Sequence, residues 1–334
     1  MINLCSANGP SAHPIEDADL CNILKTKVIR EWPVVKNPEN FPGPQPVSLE
    51  REYIWKLDKY PYSVCEKTDG MRFLLVVAKV GGEVVSAVVD RAFRFYRIEL
   101  TSRIDGLSIL DGELVCETKG DLGWTFYAYD AIVVGGTNCA KQPLDTRHEK
   151  VAEFVKNVLE SSFDIKAKKF WKLCHLGQML QDAERNPLKH NSDGLIFTPR
   201  MLPVGTATQM SLVKWKPSTN HTFDFKVHIK RGANNRTRYD LYSSDRGKIV
   251  KHCSINERTH SGRIFHEKYR SVTQKSVAIV ECTWNIPGGY YEPVLERTDK
   301  THPNSVRTIE KTHLNIRENI TMDEIVSLSK DKRY

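Results

Sequence analysis

Apolar residues recur along this chain at two different spacings. Between residues 16 and 32, Leu20, Ile23, Leu24 and Val28 fall three or four apart, which predicts an amphipathic helix ended by Pro33. Residues 37–46 carry four prolines and a glycine and read as an extended loop. The period then changes to two. Stretches 73–80 and 83–90 flank Gly81-Gly82 and predict a β-hairpin. Stretches 93–100, 108–115 and 124–134 continue the strand pattern, rich in Val, Ile, Phe and Tyr. Thr146 and Glu149 form a capping box ahead of a helical face of Val151, Phe154, Val155, Val158 and Leu159. A second helix is expected over 175–184, and short strands at 195–198 and 212–215. Beyond Pro217, short strands at 223–230, 239–243, 247–252 and 276–284 suit a small barrel. Thr321 with Glu324 opens a closing helix.

Size and charge sharpen this only a little. A chain of 334 residues suggests two domains, at about 150 residues each. The expected division is 1–225, 226–310 and a C-terminal helical segment, 311–334. Lys plus Arg number 49 against 41 Asp plus Glu, a net charge of +8. That excess suits a polyanionic partner or ordinary solubility equally. There is no run of 18 apolar residues, so no membrane span is expected. Residues 1–14 lack a basic stretch followed by an apolar one, so an intracellular, non-secreted protein is expected. Eight cysteines are scattered without a C-x-x-C pair, which supports neither a zinc cluster nor a disulfide framework.

The chemistry lies in charges set inside apolar strands. Glu66-Lys67-Thr68-Asp69-Gly70-Met71-Arg72 places a lysine beside a glycine at the expected edge of a sheet. Asp90-Arg91 ends a strand. Leu110-Asp111-Gly112-Glu113, Phe126-Tyr127-Ala128-Tyr129-Asp130 and Ser192-Asp193-Gly194-Leu195-Ile196 each set acidic residues in apolar surroundings. Leu212-Val213-Lys214-Trp215-Lys216-Pro217 puts two lysines on one strand face. A buried charge is expensive without a partner. One such case is a structural ion pair; several, of both signs, point to a shared polar site.

This ordered set resembles the covalent nucleotidyltransferase superfamily of mRNA capping enzymes and ATP-dependent polynucleotide ligases. The resemblance spans roughly residues 37–304. Phe41-Pro42-Gly43-Pro44-Gln45-Pro46-Val47-Ser48 looks like the segment ahead of the nucleophile in capping enzymes, and Arg297-Thr298-Asp299-Lys300-Thr301-His302-Pro303-Asn304 like their final motif. Within the superfamily the chain is most similar to mRNA guanylyltransferases. The implied fold is α+β: a nucleotidyltransferase domain of antiparallel sheets and helices, ATP-grasp-like, joined to a C-terminal OB-fold β-barrel.

The resemblance implies a role for each matched residue. Lys67 is the nucleophile that takes GMP from GTP and releases pyrophosphate. A lysine with a pKa near 10.4 needs ~3–5 kcal/mol of help to work at about 7–8; Lys214, Lys216 and Arg72 are the cations expected to supply it. Arg72 and Arg91 bind the ribose hydroxyls. Glu113 and Asp193 stand near the metal, Mg²⁺ or Mn²⁺, whose hardness suits carboxylate oxygens. Tyr129 lies on one face of the purine, where relatives more often carry Phe. Lys214 and Lys216 contact the α-phosphate. Asp224 is a further family acid. Arg297, Asp299 and Lys300 reach the β- and γ-phosphates, although Leu295 replaces a usual second arginine. The Lys168-Lys169-Phe170 run holds another ligand-contacting lysine or is a solvated basic turn. Arg231, Arg236 and Arg238 mark a basic surface suited to RNA.

The implied partners are GTP and 5′-diphosphate RNA, together with an RNA triphosphatase, a cap methyltransferase and the RNA polymerase II tail. The implied place is the nucleus of a cell or a viral replication compartment. Two other readings remain open from sequence: an ATP-dependent RNA or DNA ligase, and an inactive nucleotidyltransferase-fold adaptor that binds RNA.

Overall fold

The computed structural model describes residues 9–35, 37–119, 123–232 and 236–330. The chain divides into two compact units, Ile2–Trp215 with Asp323–Tyr334, and Lys216–Met322. Cys5 lies outside the described residues, and the other seven cysteines are free thiols.

In the first unit the main elements are α1 (Ala18–Glu31), β1 (Gln45–Ser48), β2 (Tyr62–Thr68), β3 (Met71–Val80), β4 (Glu83–Val89), β5 (Phe95–Arg97), β6 (Ser108–Cys116), β7 (Trp124–Val134), α2 (Leu144–Lys156), β8 (Asp164–Ala167), α3 (Leu176–Arg185), β9 (Ser192–Pro199) and β10 (Thr208–Trp215). The larger sheet runs β5-β4-β3-β6-β7, with short pairings beyond each end and β8 parallel to β7. β3 is apolar on both faces, and the structure shows why. Phe73, Leu75 and Val77 pack toward Val151 and Phe154 of α2. Leu74, Val76 and Ala78 pack toward Leu24 and Val28 of α1 and Trp32 just after it. A strand covered by helices on both sides reads as a continuous apolar run. Gly81 and Gly82, at φ of 61° and 93°, make the β3–β4 turn that side chains disfavour. The smaller sheet joins β2, β9, β10 and β1 in that order, with a short strand, Trp171–Lys172, beside β2.

Three local expectations need correction. Val158 and Leu159, expected on a helical face, lie beyond the helix end at Lys156 in a short strand, Val158–Ser161. Lys67 sits in β2, an interior strand of its sheet, not at an edge. The capping box at Thr146 is not formed. Helix α2 starts earlier, at Leu144, after Pro143, and the Leu144 amide donates to the Arg200 carbonyl at 2.8 Å. Proline's fixed φ and this tertiary bond set the helix entry two residues ahead of the threonine.

The second unit holds β11 (Thr222–Gly232), β12 (Arg236–Asp245), β13 (Lys248–Asn256), α4 (His260–Val272), β14 (Val277–Asn285), β15 (Tyr290–Glu296) and α5 (Val306–Glu318). A last helix, α6 (Met322–Lys330), follows. The five strands run β13-β12-β11-β14-β15, all antiparallel. The five-stranded antiparallel sheet with one helix between its third and fourth strands suits the expected small barrel, although among the described residues its two outer strands, β13 and β15, do not pair and the barrel is not closed. Helix α4 enters the chain between β13 and β14 and sends Phe265 and Tyr269 into the core with Phe223, Phe225, Val227, Tyr239 and Leu241. A helix covering the apolar face does what closure would otherwise do.

Candidate active site

Lys67 is the next-to-last residue of β2. Cross-strand pairing puts Cys65, Ile196 and Lys214 side by side on β2, β9 and β10. Strand alternation therefore gives Lys67 and Lys214 the same sheet face. The pairing of β9 with β2 slips between Ser192 and Leu195. Asp193 lies in that irregular stretch, and its Oδ1 accepts from Lys67 Nζ at 2.7 Å. The atom touching the lysine is thus a carboxylate oxygen. Of the cations expected to crowd Lys67, Arg72 is held instead by an acid of its own, as follows.

Arg72 is the second residue of β3, and its guanidinium forks onto Asp111 of β6, with Nε at 2.9 Å from Oδ1. A further N–H donates to the Pro44 carbonyl. The Arg72 side chain is 7% exposed and that of Asp111 2%. Burial alone would loosen the arginine proton, but Asp111 raises its pKa further above its ordinary value. The ring of Phe41 lies 5.2 Å from the guanidinium carbon and that of Tyr129 5.9 Å. Gly43 is needed here: a Cβ would meet an Arg72 nitrogen at 2.4 Å. Tyr129 of β7 also donates its hydroxyl to Asp111, at 2.8 Å. A phenylalanine lacks that bond, so the tyrosine has a local reason. The sequence marks Asp111 only as one of several acids in apolar surroundings, yet it organises both residues. The signal was present, since period two sets Asp111 on the strand face of Glu113.

Glu113 is opposite Arg72 in the β3–β6 register. Its carboxylate has no hydrogen-bond or ion-pair partner among the described residues. Burial pushes it up to about 7, although the charges of Lys67, Arg72 and Arg91 pull the other way. Arg91 is exposed in the turn after β4.

The Lys168 run is not a solvated turn. Lys168 is buried, 3% exposed, and donates to Glu66 and to the Thr68 hydroxyl, either side of Lys67. Burial would raise Glu66, but His190 and Lys168 hold it below its ordinary value. Lys169 is exposed and paired with Asp182 at 2.7 Å.

Asp224, Arg297, Asp299 and Lys300 form a cluster in the second unit. Lys216 is the first residue of that unit after Trp215. Asp224 of β11 accepts from Lys300 and from Arg297 at 3.2 Å. Arg297 also reaches Glu281 at 3.1 Å and Asp299 at 2.8 Å. The hydrogen bond from Arg297 holds Asp299 down at about 2. Asn304 braces Asp224 from the backbone side at 2.9 Å. Leu295 is 54% exposed on the edge strand β15 and takes no part. Among the three arginines of the expected RNA surface, Arg238 pairs with Asp240. Arg231 lines a cavity of ≈ 330 Å³ with Thr237, Arg270 and Thr273. The side chain of Arg236 lies outside the described residues.

Two family descriptions cover most of the chain. "mRNA capping enzyme, catalytic domain" matches residues 15–218, and "mRNA capping enzyme, C-terminal domain" matches 206–326. The chain belongs to the mRNA capping enzyme family. Relatives in that family include the mRNA-capping enzyme subunit alpha of Saccharomyces cerevisiae, 27% identical over 95% of this chain and 84% of that protein. The Yarrowia lipolytica subunit alpha is 29% identical over 64% of this chain and 59% of that protein. The mRNA-capping enzyme of Mus musculus is 26% identical over 57% of this chain, which spans only 35% of that longer protein. Among solved structures, a mycobacterial DNA ligase D complexed with ATP and MES overlays with a TM-score of 0.43 at 13% identity, covering 78% of this chain and 95% of that one. No helix among the described residues is long and apolar enough to cross a membrane.

Proposed function

We propose that this capping-family protein is an mRNA guanylyltransferase acting through Lys67. The observation that carries the reading is the Lys67–Asp193 pair, 2.7 Å apart, beside the unpartnered Glu113, in a chain that both capping family descriptions match. An amine attacks only when its lone pair is free. Asp193 is the nearest acceptor for the lysine proton. The Lys67 nitrogen then bonds the α-phosphorus of GTP, the bond to pyrophosphate breaks, and a phosphoramidate to GMP forms. In the second step a terminal oxygen of 5′-diphosphate RNA attacks the same phosphorus, and the P–N bond breaks. The product is a 5′–5′ triphosphate cap, and the lysine is restored.

The Arg72–Asp111–Tyr129 assembly serves as a rigid wall for the nucleoside. Its cation is locked in place, so it reorganises little as charge develops. Lys214, on the Lys67 face, answers the α-phosphate charge, with Lys216 two residues on. Arg297 and Lys300 are the groups for the β- and γ-phosphates, and Asp224 and Asp299 position them. Mg²⁺ or Mn²⁺ fits this site only in one form. Among the described residues no three metal-binding side chains come together. Glu113 and Asp193 supply two carboxylates, which matches a cation that arrives with phosphates rather than one held in a protein cage. When bound, that cation neutralises phosphate charge.

The acceptor must present a 5′-diphosphate. An enzyme that removes the γ-phosphate of RNA must therefore act before this one, and a cap methyltransferase acts on its product. That work belongs with nascent RNA, in the nucleus or at a site of viral transcription.

Incubation with α-labelled GTP or ATP, a divalent cation and no RNA tests the reading. GTP should give an acid-labile protein–GMP adduct that is lost in Lys67→Ala. Labelling by ATP alone, or a fully labelled Lys67→Ala variant, would sink it.

A further inference from the structure

The second unit carries an organised basic face that the nucleotide chemistry does not use. In β11, Phe223, Phe225 and Val227 enter the core, so Lys226, His228 and Lys230 lie on the opposite face. The same alternation in β12 sends Tyr239 and Leu241 inward and Arg238, Asp240 and Tyr242 outward. Register aligns three rows across β11, β12 and β13: Lys226 with Tyr242 and Lys251, His228 with Asp240 and Ser254, and Lys230 with Arg238 and Asn256. Neighbouring positions are about 5 Å apart across strands and about 7 Å apart along them.

Asp240 sits at the centre and is fully buried, at 0% exposure. Its carboxylate accepts from Ser254 at 2.6 Å and pairs with Lys251 at 2.9 Å, Arg238 at 3.1 Å and Lys230 at 3.3 Å. Burial would raise its pKa, yet Ser254 and the three cations hold it well below the usual carboxylate range. The cations themselves remain half in solvent, at 53%, 48% and 45% exposure for Lys230, Arg238 and Lys251. With Lys226, four cations face one carboxylate. The anchor fixes three of them and leaves most of their charge unanswered. Two rings lie among them: His228 and Tyr242 have centroids 4.7 Å apart. Burial and the flanking Lys226 and Lys230 push the His228 imidazole below its ordinary value, so at neutral pH it offers a ring rather than a charge.

We propose that this face of β11, β12 and β13 holds the acceptor RNA as a single strand, with Lys226, Lys230, Arg238 and Lys251 on its phosphates and Tyr242 against a base. This rests on the guanylyltransferase reading. Cations at regular spacing with an interposed ring are what a sequence-indifferent single-strand site needs. A protein partner is the poorer match, because protein docking faces centre on desolvated apolar anchors. Here every position in the three rows is charged or polar.

The test uses the full chain with Lys226, Lys230 and Lys251 all changed to Gln. Arg238 stays as the partner of Asp240. A second variant, Tyr242→Ala, leaves Asp240 untouched and keeps the test open if the triple change lowers the melting temperature. Three readings are taken: GMP adduct formation without RNA, GMP transfer to a 5′-diphosphate RNA of about twenty nucleotides, and affinity for that RNA against salt. Adduct formation should stay within twofold of the parent. RNA affinity at low salt should fall at least tenfold, and the salt slope should drop by about 2, at ~0.7 per lost phosphate contact. Tyr242→Ala should weaken binding about tenfold with the slope unchanged. Unaltered RNA affinity and transfer in both variants would overturn the proposal. So would lost binding of an acidic peptide alongside intact RNA binding, which would reassign the face to a protein. A parent protein that forms no GMP adduct would refute the guanylyltransferase reading instead, while the RNA affinities still judge this face.

Discussion

Residue by residue, the site contrasts two acids on one strand face. Asp111 spends its charge on Arg72 and Tyr129 and is almost wholly buried. Glu113, two positions along, has no partner, and burial carries it to about 7. This is the separation of environments that lets like groups take different roles. The Glu113 shift also has a stability consequence with a definite sign. Its folded pKa, about 7, lies above the ordinary 4.5. The folded chain therefore holds the proton more tightly, and stability declines as pH rises from about 4.5 to 7. Glu113→Gln removes the titration. The variant should match the parent at pH 4.5 and exceed it by about 1–3 kcal/mol at pH 8, while losing adduct formation. Denaturant midpoints at the two pH values check this. An advantage of equal size at both would show that the glutamate is not strained by its charge.

The elements that carry the first unit were legible because their apolar patterns are strong. Helix α1 and strands β3, β4, β6 and β7 all fall within two residues of the spans expected. The candidate residues Lys67, Arg72, Glu113 and Asp193 stood out as well, because a charge inside an apolar strand is conspicuous. What escaped has a physical cause. Helix α4 shows only Phe265, Tyr269 and Val272 at helical spacing among charged residues, a thin stripe. Helix α5 buries Ile309 and Ile316, two turns apart. Strand β15 contains Pro293 and follows Gly288-Gly289, which are breaker signals. As an edge strand it tolerates the proline, which pairs with Cys282 at a register shift. Asp111 escaped for another reason: a structural acid and a catalytic acid look alike until the partner is seen. Helix α4 also offers a test. Thr259 caps it by accepting from the Gly262 amide at 2.9 Å. A Cβ at Gly262 would lie 1.8 Å from the Asn256 carbonyl oxygen, a backbone atom that no rotamer moves. Glycine to alanine inside a helix ordinarily gains about 1 kcal/mol. Here the sign should reverse, and Gly262→Ala should cost about 1–3 kcal/mol in thermal or denaturant melts. A more stable variant would mean that the helix start is free to shift.

Across the whole molecule, the net charge of +8 is not an even coat. The face anchored by Asp240 sets Lys226, Lys230, Arg238 and Lys251 against one carboxylate, whereas the Asp224 cluster sets Arg297 and Lys300 against Asp224, Glu281 and Asp299 and carries no positive excess. The two compact units also keep separate apolar cores: one pair of clusters on the two faces of β3, and another around Phe223, Phe225 and Phe265. The chain leaves the first unit at Trp215 and rejoins it at Asp323. There α6 buries Ile325, and Glu324 meets Arg51 at 3.0 Å. Cooperative melting follows cores, so each unit should contribute its own transition. Gly262→Ala should lower only the transition of the second unit. Glu113→Gln at pH 8 should raise only that of the first. The double variant should equal the sum within about 0.5 kcal/mol, as expected for sites that share no partner. Calorimetry on the four proteins decides the matter. One transition displaced by both substitutions would show that the units melt together, and the two cores would then have to be treated as a single cooperative fold.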